Sequence, residues 1–168
     1  MSKNVKNLVR GALIAALYVA LTNLQNVLIP GSATWAIQFR ASEALCILAF
    51  FTPSAVWGLT LGCFIFNLNY AMALPLDILV GSLATFLATG GMWLIRKVTI
   101  KGFPLPGLLL PALFNGLLVG WELSFYIGGA FWLNATYVAI GEAAVLLTLG
   151  TALYYAVRSR GLHVTLFS

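Results

Sequence analysis

Charge is what this sequence has least of. Only 13 of its 168 residues are formally charged, nine basic and four acidic, while 61% are hydrophobic. A soluble domain is about 25% charged and 45–50% apolar, so this chain cannot cover itself with a hydrated surface. Histidine occurs once and cysteine twice, which leaves no His/Cys set for a metal ion and no disulfide scaffold. Cys46 and Cys63 sit inside predicted helices, where they read as small apolar packing residues. There is no G-x-x-x-x-G-K-[ST] phosphate-binding loop and no nucleophile, base and orienter set. The expectation is a chain that is not an enzyme and holds no cofactor or metal of its own.

What is present is apolar sequence in long uninterrupted stretches. Uncharged runs occupy residues 11–39, 44–76, 78–95, 102–121, 123–141 and 143–157, and a spanning helix needs about 20 residues. An integral membrane protein follows, with short loops and no room for an extramembrane catalytic domain. The net charge of +5 does not point to nucleic acid, because the basic residues gather at the ends of apolar segments. They form three groups: Lys3, Lys6 and Arg10; Arg96, Lys97 and Lys101; Arg158 and Arg160. If every group faces the cytoplasm, as the positive-inside rule requires, an even number of spans separates each from the next. Four spans then lie between Arg10 and Arg96, with the 44–76 run broken at Thr52-Pro53, and two between Lys101 and Arg158. The fold class is all-α: a single transmembrane domain, residues 1–168, of six helices with both termini cytoplasmic. Expected helices are 8–28, 39–52, 54–70, 75–96, 105–126 and 132–157, in a multi-pass protein of a bacterial plasma membrane.

Lipid gives helices no hydrophobic reason to associate, so close contact relies on small residues. Gly58 and Gly62, Gly116 and Gly120, and Ala84 and Ala88 are each four apart and are read as packing faces within the bundle. Ala12, Ala16 and Ala20 form a smooth stripe near the basic end of the first helix, which would serve packing or seat a partner helix.

All four acids fall in the outer half or near the middle of the bilayer: Glu43, Asp77, Glu122 and Glu142, with Arg40 as the base nearby. Ionisable groups within a membrane are costly and face a cavity or a partner. Four acids against one base favour a ligand that is cationic or rich in hydrogen-bond donors. Each has a structural alternative: Asp77 follows Pro75 and would complement a helix N-terminus, Arg40 and Glu43 would pair, and Glu122 would sit in the interface. Gln38, Asn67 and Asn115 would serve ligand or interhelical hydrogen bonds. Trp35, in the first loop, would stack on a planar ligand or anchor in the interface.

The run Ile37-Gln38-Phe39-Arg40-Ala41-Ser42-Glu43-Ala44-Leu45, with Phe50-Phe51-Thr52-Pro53, resembles the QueT family. The likeness continues through Gly58 to Cys63 with Asn67, Asp77 to Thr85, Asn115 with Gly120 and Glu122, and Ile140-Gly141-Glu142, covering residues 8 to 158; Ala49 departs from it, where proline is expected. These are substrate-binding S components of energy-coupling factor (ECF) transporters, associated with queuosine precursors. The resemblance implies a protein that captures a 7-deazaguanine such as preQ1, preQ0 or queuine from outside. It further implies partners: an EcfT-type transmembrane coupling protein, docked on Ala12, Ala16 and Ala20, and two EcfA-type ATPases that use the ATP and drive reorientation in the bilayer. Such a base offers adjacent N–H donors, a carbonyl and a flat ring. Glu142 or Glu43 would accept from its guanine-like edge, Asn67, Asn115 or Gln38 would serve the carbonyl, Trp35 would stack, Asp77 or Glu122 would meet an amine, and Arg40 would hold the acids. An S component for thiamine or another small vitamin, and a stand-alone carrier or channel, are the competing readings.

Overall fold

The computed structural model describes residues 2–32, 39–70 and 74–162; Trp35 and Gln38 lie outside the described residues. Ser2 begins the first helix, its hydroxyl accepting from the Val5 amide at 3.4 Å. This cap lets α1 run Lys3–Leu28, taking in Lys3 and Lys6, which were expected to precede it. A 3-10 helix, η1, follows at Ala41–Phe50, then α2, Ser54–Asn69, and α3, Asp77–Leu94. The next rod is broken by proline: α4, Leu105–Leu108, gives way to α5, Leu110–Tyr126, where Pro111 occupies the first turn and has no amide to donate. The last rod is α6, Phe131–Val145, a five-residue π segment, Leu146–Gly150, and α7, Thr151–Ser159.

All six expected helical segments therefore form, and the described residues contain no strand beyond an isolated bridge between Ile100 and Phe103. Four rods are long and apolar enough to cross a membrane: Lys3–Leu28, Asp77–Leu94, Leu105–Tyr126 and Phe131–Ser159. The other two are shorter than expected for spans. At about 2.0 Å per residue, the ten residues of η1 rise roughly 20 Å, against about 30 Å of hydrocarbon. The reason is position. Ser42 through Phe50 are all buried, so η1 is enclosed by the other helices and its length is not set by lipid thickness.

The glycine ladders are the contacts that draw the rods together. A Cβ on Gly58 would stand 2.6 Å from the Gly11 carbonyl oxygen, and one on Gly62 2.8 Å from the Tyr18 Cβ, so α1 and α2 touch backbone to backbone. On α5, a Cβ at Gly120 would stand 2.5 Å from the Ala135 Cα of α6. Ala84 and Ala88 are fully buried on α3. Ala12, Ala16 and Ala20 instead face out from the bundle and are exposed.

The three basic groups share one end of the molecule. Asn4 and Asn7 line a groove with Pro53 and Ser54, Arg10 lines another with Leu153, and Arg158 donates to the Gly102 carbonyl at 3.4 Å. An even number of crossings between successive groups requires this arrangement.

Candidate functional site

The acids enter the bundle from four elements: Glu43 in the first turn of η1, Asp77 in the first turn of α3, Glu122 late in α5 and Glu142 late in α6. All four are buried, as are Arg40, Asn67 and Asn115. They converge. Arg40 lies within Coulomb reach of Asp77 and Glu43, Glu142 within reach of Glu43 and Arg40, and Glu122 within reach of Asp77 and Arg40. The arrangement is two acid pairs, Glu43 with Glu142 and Asp77 with Glu122, and one guanidinium near both.

Within each pair, one acid is held by the protein and the other is not. Glu43 Oε1 accepts from the Tyr18 hydroxyl at 2.6 Å and Oε2 from the Cys46 thiol at 3.1 Å. Glu142 Oε2 has no hydrogen-bond partner. Asp77 Oδ2 accepts from the Leu74 amide at 2.8 Å, bracing the turn that opens α3. With both acids ionised, Glu122 has no donor for Oε1 or Oε2; it faces Asp77 at hydrogen-bonding range, so a proton on either acid joins the two.

Asn67 is similarly divided. Its Nδ2 donates to the Asp77 carbonyl at 2.8 Å and lies 3.6 Å from the Cys63 sulfur, while Oδ1 is buried and unpartnered. The close approach of Asn67 to α3 depends on Gly81, where a Cβ would come within 2.9 Å of Nδ2. Arg40 directs Nη1 to the Cys63 sulfur at 3.9 Å and sets its guanidinium 5.9 Å from the Phe66 ring centroid. With the acids ionised, four buried oxygens on Glu142, Glu122 and Asn67 lack a donor. Burying such acceptors costs on the order of 1–3 kcal/mol each, more when charged, so natural folds rarely leave them without a purpose. What the arrangement lacks is N–H or O–H donors, or a cation.

The inward face of α1 was not anticipated in this role. Tyr18 holds Glu43, and one turn on, the Thr22 hydroxyl donates to the Tyr18 carbonyl at 2.8 Å and accepts from the Ser42 hydroxyl at 2.7 Å. The signal available was spacing: Tyr18 and Thr22 are four apart on one face of α1, and Cys46 is three after Glu43. The cysteines are buried and free, as read, but they are also polar neighbours of the acids. A groove of about 570 Å³ runs between Phe39 and Ala41 on one side and Ala144, Val145 and Thr148 on the other; none of the four acids lines it. Gln25, at its edge, accepts from the Ala41 amide at 2.6 Å and donates to the Phe39 carbonyl, tying the start of η1 to α1. No group of three or more His, Cys, Asp or Glu suited to a metal occurs among the described residues.

Residues 8–159 match the family described as QueT transporter. A curated relative, the queuosine precursor transporter QueT of Lactococcus lactis subsp. cremoris (strain MG1363), is 40% identical over 85 residues, which cover 47% of this chain and 46% of that protein. The chain thus matches about half the length of that relative. No solved structure matches it.

Proposed function

The chain belongs to the QueT transporter family, and on that premise we propose that it is the substrate-capture subunit of an ECF-type importer, binding a 7-deazaguanine precursor of queuosine. It is a transport protein and not an enzyme. The observation that carries the reading is the set of four buried, unpartnered acceptor oxygens on Glu142, Glu122 and Asn67. A guanine-like edge presents two adjacent N–H donors, which a single carboxylate accepts side by side. Glu142 takes that edge, because Glu43 is already occupied by Tyr18 and Cys46. Glu122 meets an exocyclic amine, because Asp77 is occupied by the Leu74 amide. Asn67 contributes an acceptor, its amide N–H being directed at α3. The carbonyl of the base then falls to Asn115 or Gln38, the ring stacks on Trp35, and Arg40 holds Glu43 and Asp77.

Transport itself is assigned to partners. A coupling protein of the EcfT type docks on the exposed Ala12, Ala16 and Ala20, and two EcfA-type ATPases supply the work of reorientation. Affinity purification from the native membrane tests this. Co-purifying ATPases support it, and substrate uptake in a host without any coupling module contradicts it.

The binding reading is tested by thermal denaturation of the purified protein with 7-deazaguanines, thiamine and riboflavin. A ligand at a hundred times its Kd stabilises the folded state by about 2.7 kcal/mol. The 7-deazaguanines should raise the melting temperature and the two vitamins should not; stabilisation by thiamine alone contradicts the assignment. Glu142→Gln should weaken 7-deazaguanine binding roughly 10- to 100-fold, the worth of one charge-assisted hydrogen bond, while leaving membrane insertion unchanged.

A further inference from the structure

On the basic half of the bundle, η1 packs against both α1 and α7, and because it is sunk between them a furrow of about 310 Å³ runs above it. Leu45 and Leu48 of η1 are buried and form the floor; Leu13 and Leu17 of α1 and Leu153 of α7 form the walls; Arg10 lies at one end. Leu13 and Leu17 are 65% and 45% exposed. Lys6, one turn before Arg10 and therefore on the same face of α1, is exposed beyond that end. The furrow thus has a leucine-lined body and a cationic mouth.

We propose that this furrow binds one anionic phospholipid from the leaflet at the basic end of the bundle. Its phosphate sits at Arg10 and Lys6, and an acyl chain lies along the leucines. The polarity of the site matches an amphiphile in direction as well as composition: Arg10 to Leu17 spans roughly 10 Å of helix axis, leading from the charged end towards the bilayer interior. A guanidinium presents a planar fork of donors to phosphate oxygens, and basic pockets between helices on the cytoplasmic side attract anionic headgroups. The walls argue against a protein helix as occupant. Close helix contact needs small residues, and on α1 these are Ala12, Ala16 and Ala20, outside the furrow lining, whereas a flexible chain conforms to leucine side chains. The site does not depend on which substrate the acids bind.

Native mass spectrometry of the full chain in mild detergent, loaded with equimolar palmitoyl-oleoyl phosphatidylglycerol and phosphatidylcholine, tests the proposal. One phosphatidylglycerol should be retained preferentially. Arg10→Gln and Lys6→Gln should each lower that preference roughly fivefold. Leu153→Trp, which fills the furrow and leaves the charges in place, should abolish retention of either lipid, with thermal melting showing that each variant is folded. Equal retention of the two lipids by the unmodified protein overturns the proposal without recourse to any variant. So does unchanged preference in the Arg10→Gln, Lys6→Gln double variant, or a lipid-free dimer indicating that a second copy occupies the face.

Discussion

Glu43 and Glu142 are neighbours in opposite situations, and the difference is measurable. Tyr18→Phe removes the hydroxyl that donates to Glu43 Oε1 at 2.6 Å and leaves a buried carboxylate short of a donor. The protein should lose about 1–3 kcal/mol of stability, read as a lower melting temperature without ligand. Glu122→Gln should do the reverse. Glu122 faces Asp77 at hydrogen-bonding range, so the two acids must share a proton or repel; a neutral amide that donates to Asp77 removes that requirement, raising the melting temperature of the empty protein while weakening its hold on an amine-bearing ligand. A rise in stability together with a fall in affinity identifies a group kept for binding; a fall in both contradicts that assignment. Sequence reading gathered the four acids and Arg40 because charge in an apolar chain is conspicuous. It did not separate held acids from open ones. That depends on Tyr18, Cys46 and the Leu74 amide, which reach the acids only once the elements are packed, and a tyrosine in an apolar helix otherwise reads as an interface residue.

The small-residue ladders face either into the bundle or out of it, with different consequences for mutation. Gly120→Val on α5 would force a side chain against the Ala135 backbone, where even a Cβ stands 2.5 Å from Cα. It should cost about 1–3 kcal/mol or more. Ala16→Trp on α1 points out of the bundle and is exposed, so melting should stay within about 0.5 kcal/mol, while co-purification with a coupling protein should be lost. Retained co-purification would remove the alanine stripe from the docking face. Helix boundaries were legible to within a few residues because charges and prolines punctuate the apolar runs. The 3-10 geometry of η1 and the π segment at Leu146–Gly150 were not, since hydropathy reports burial and length but not hydrogen-bond register; these two elements pack against one another, with Leu146 and Gly150 as the buried residues of the π segment and Gly150 close to Ile47, and such contacts override the local pattern.

As a whole the chain is a multi-pass membrane protein of the QueT transporter family, with its basic groups at one end and its buried acids gathered in the bundle. Positive-inside parity anticipated this polarity because the same electrostatics governs insertion and final topology. The account rests on donor-poor acids gripping a donor-rich base, and calorimetry with a matched pair of ligands tests it most directly. Titrating the purified protein with an aminomethyl 7-deazaguanine and with the analogue lacking only the exocyclic 2-amino group removes one N–H donor from the edge assigned to Glu142. A site built to satisfy that donor discriminates strongly against its absence. The account predicts measurable binding of the first and at least about 100-fold weaker binding of the second; equal affinity for the two would contradict it.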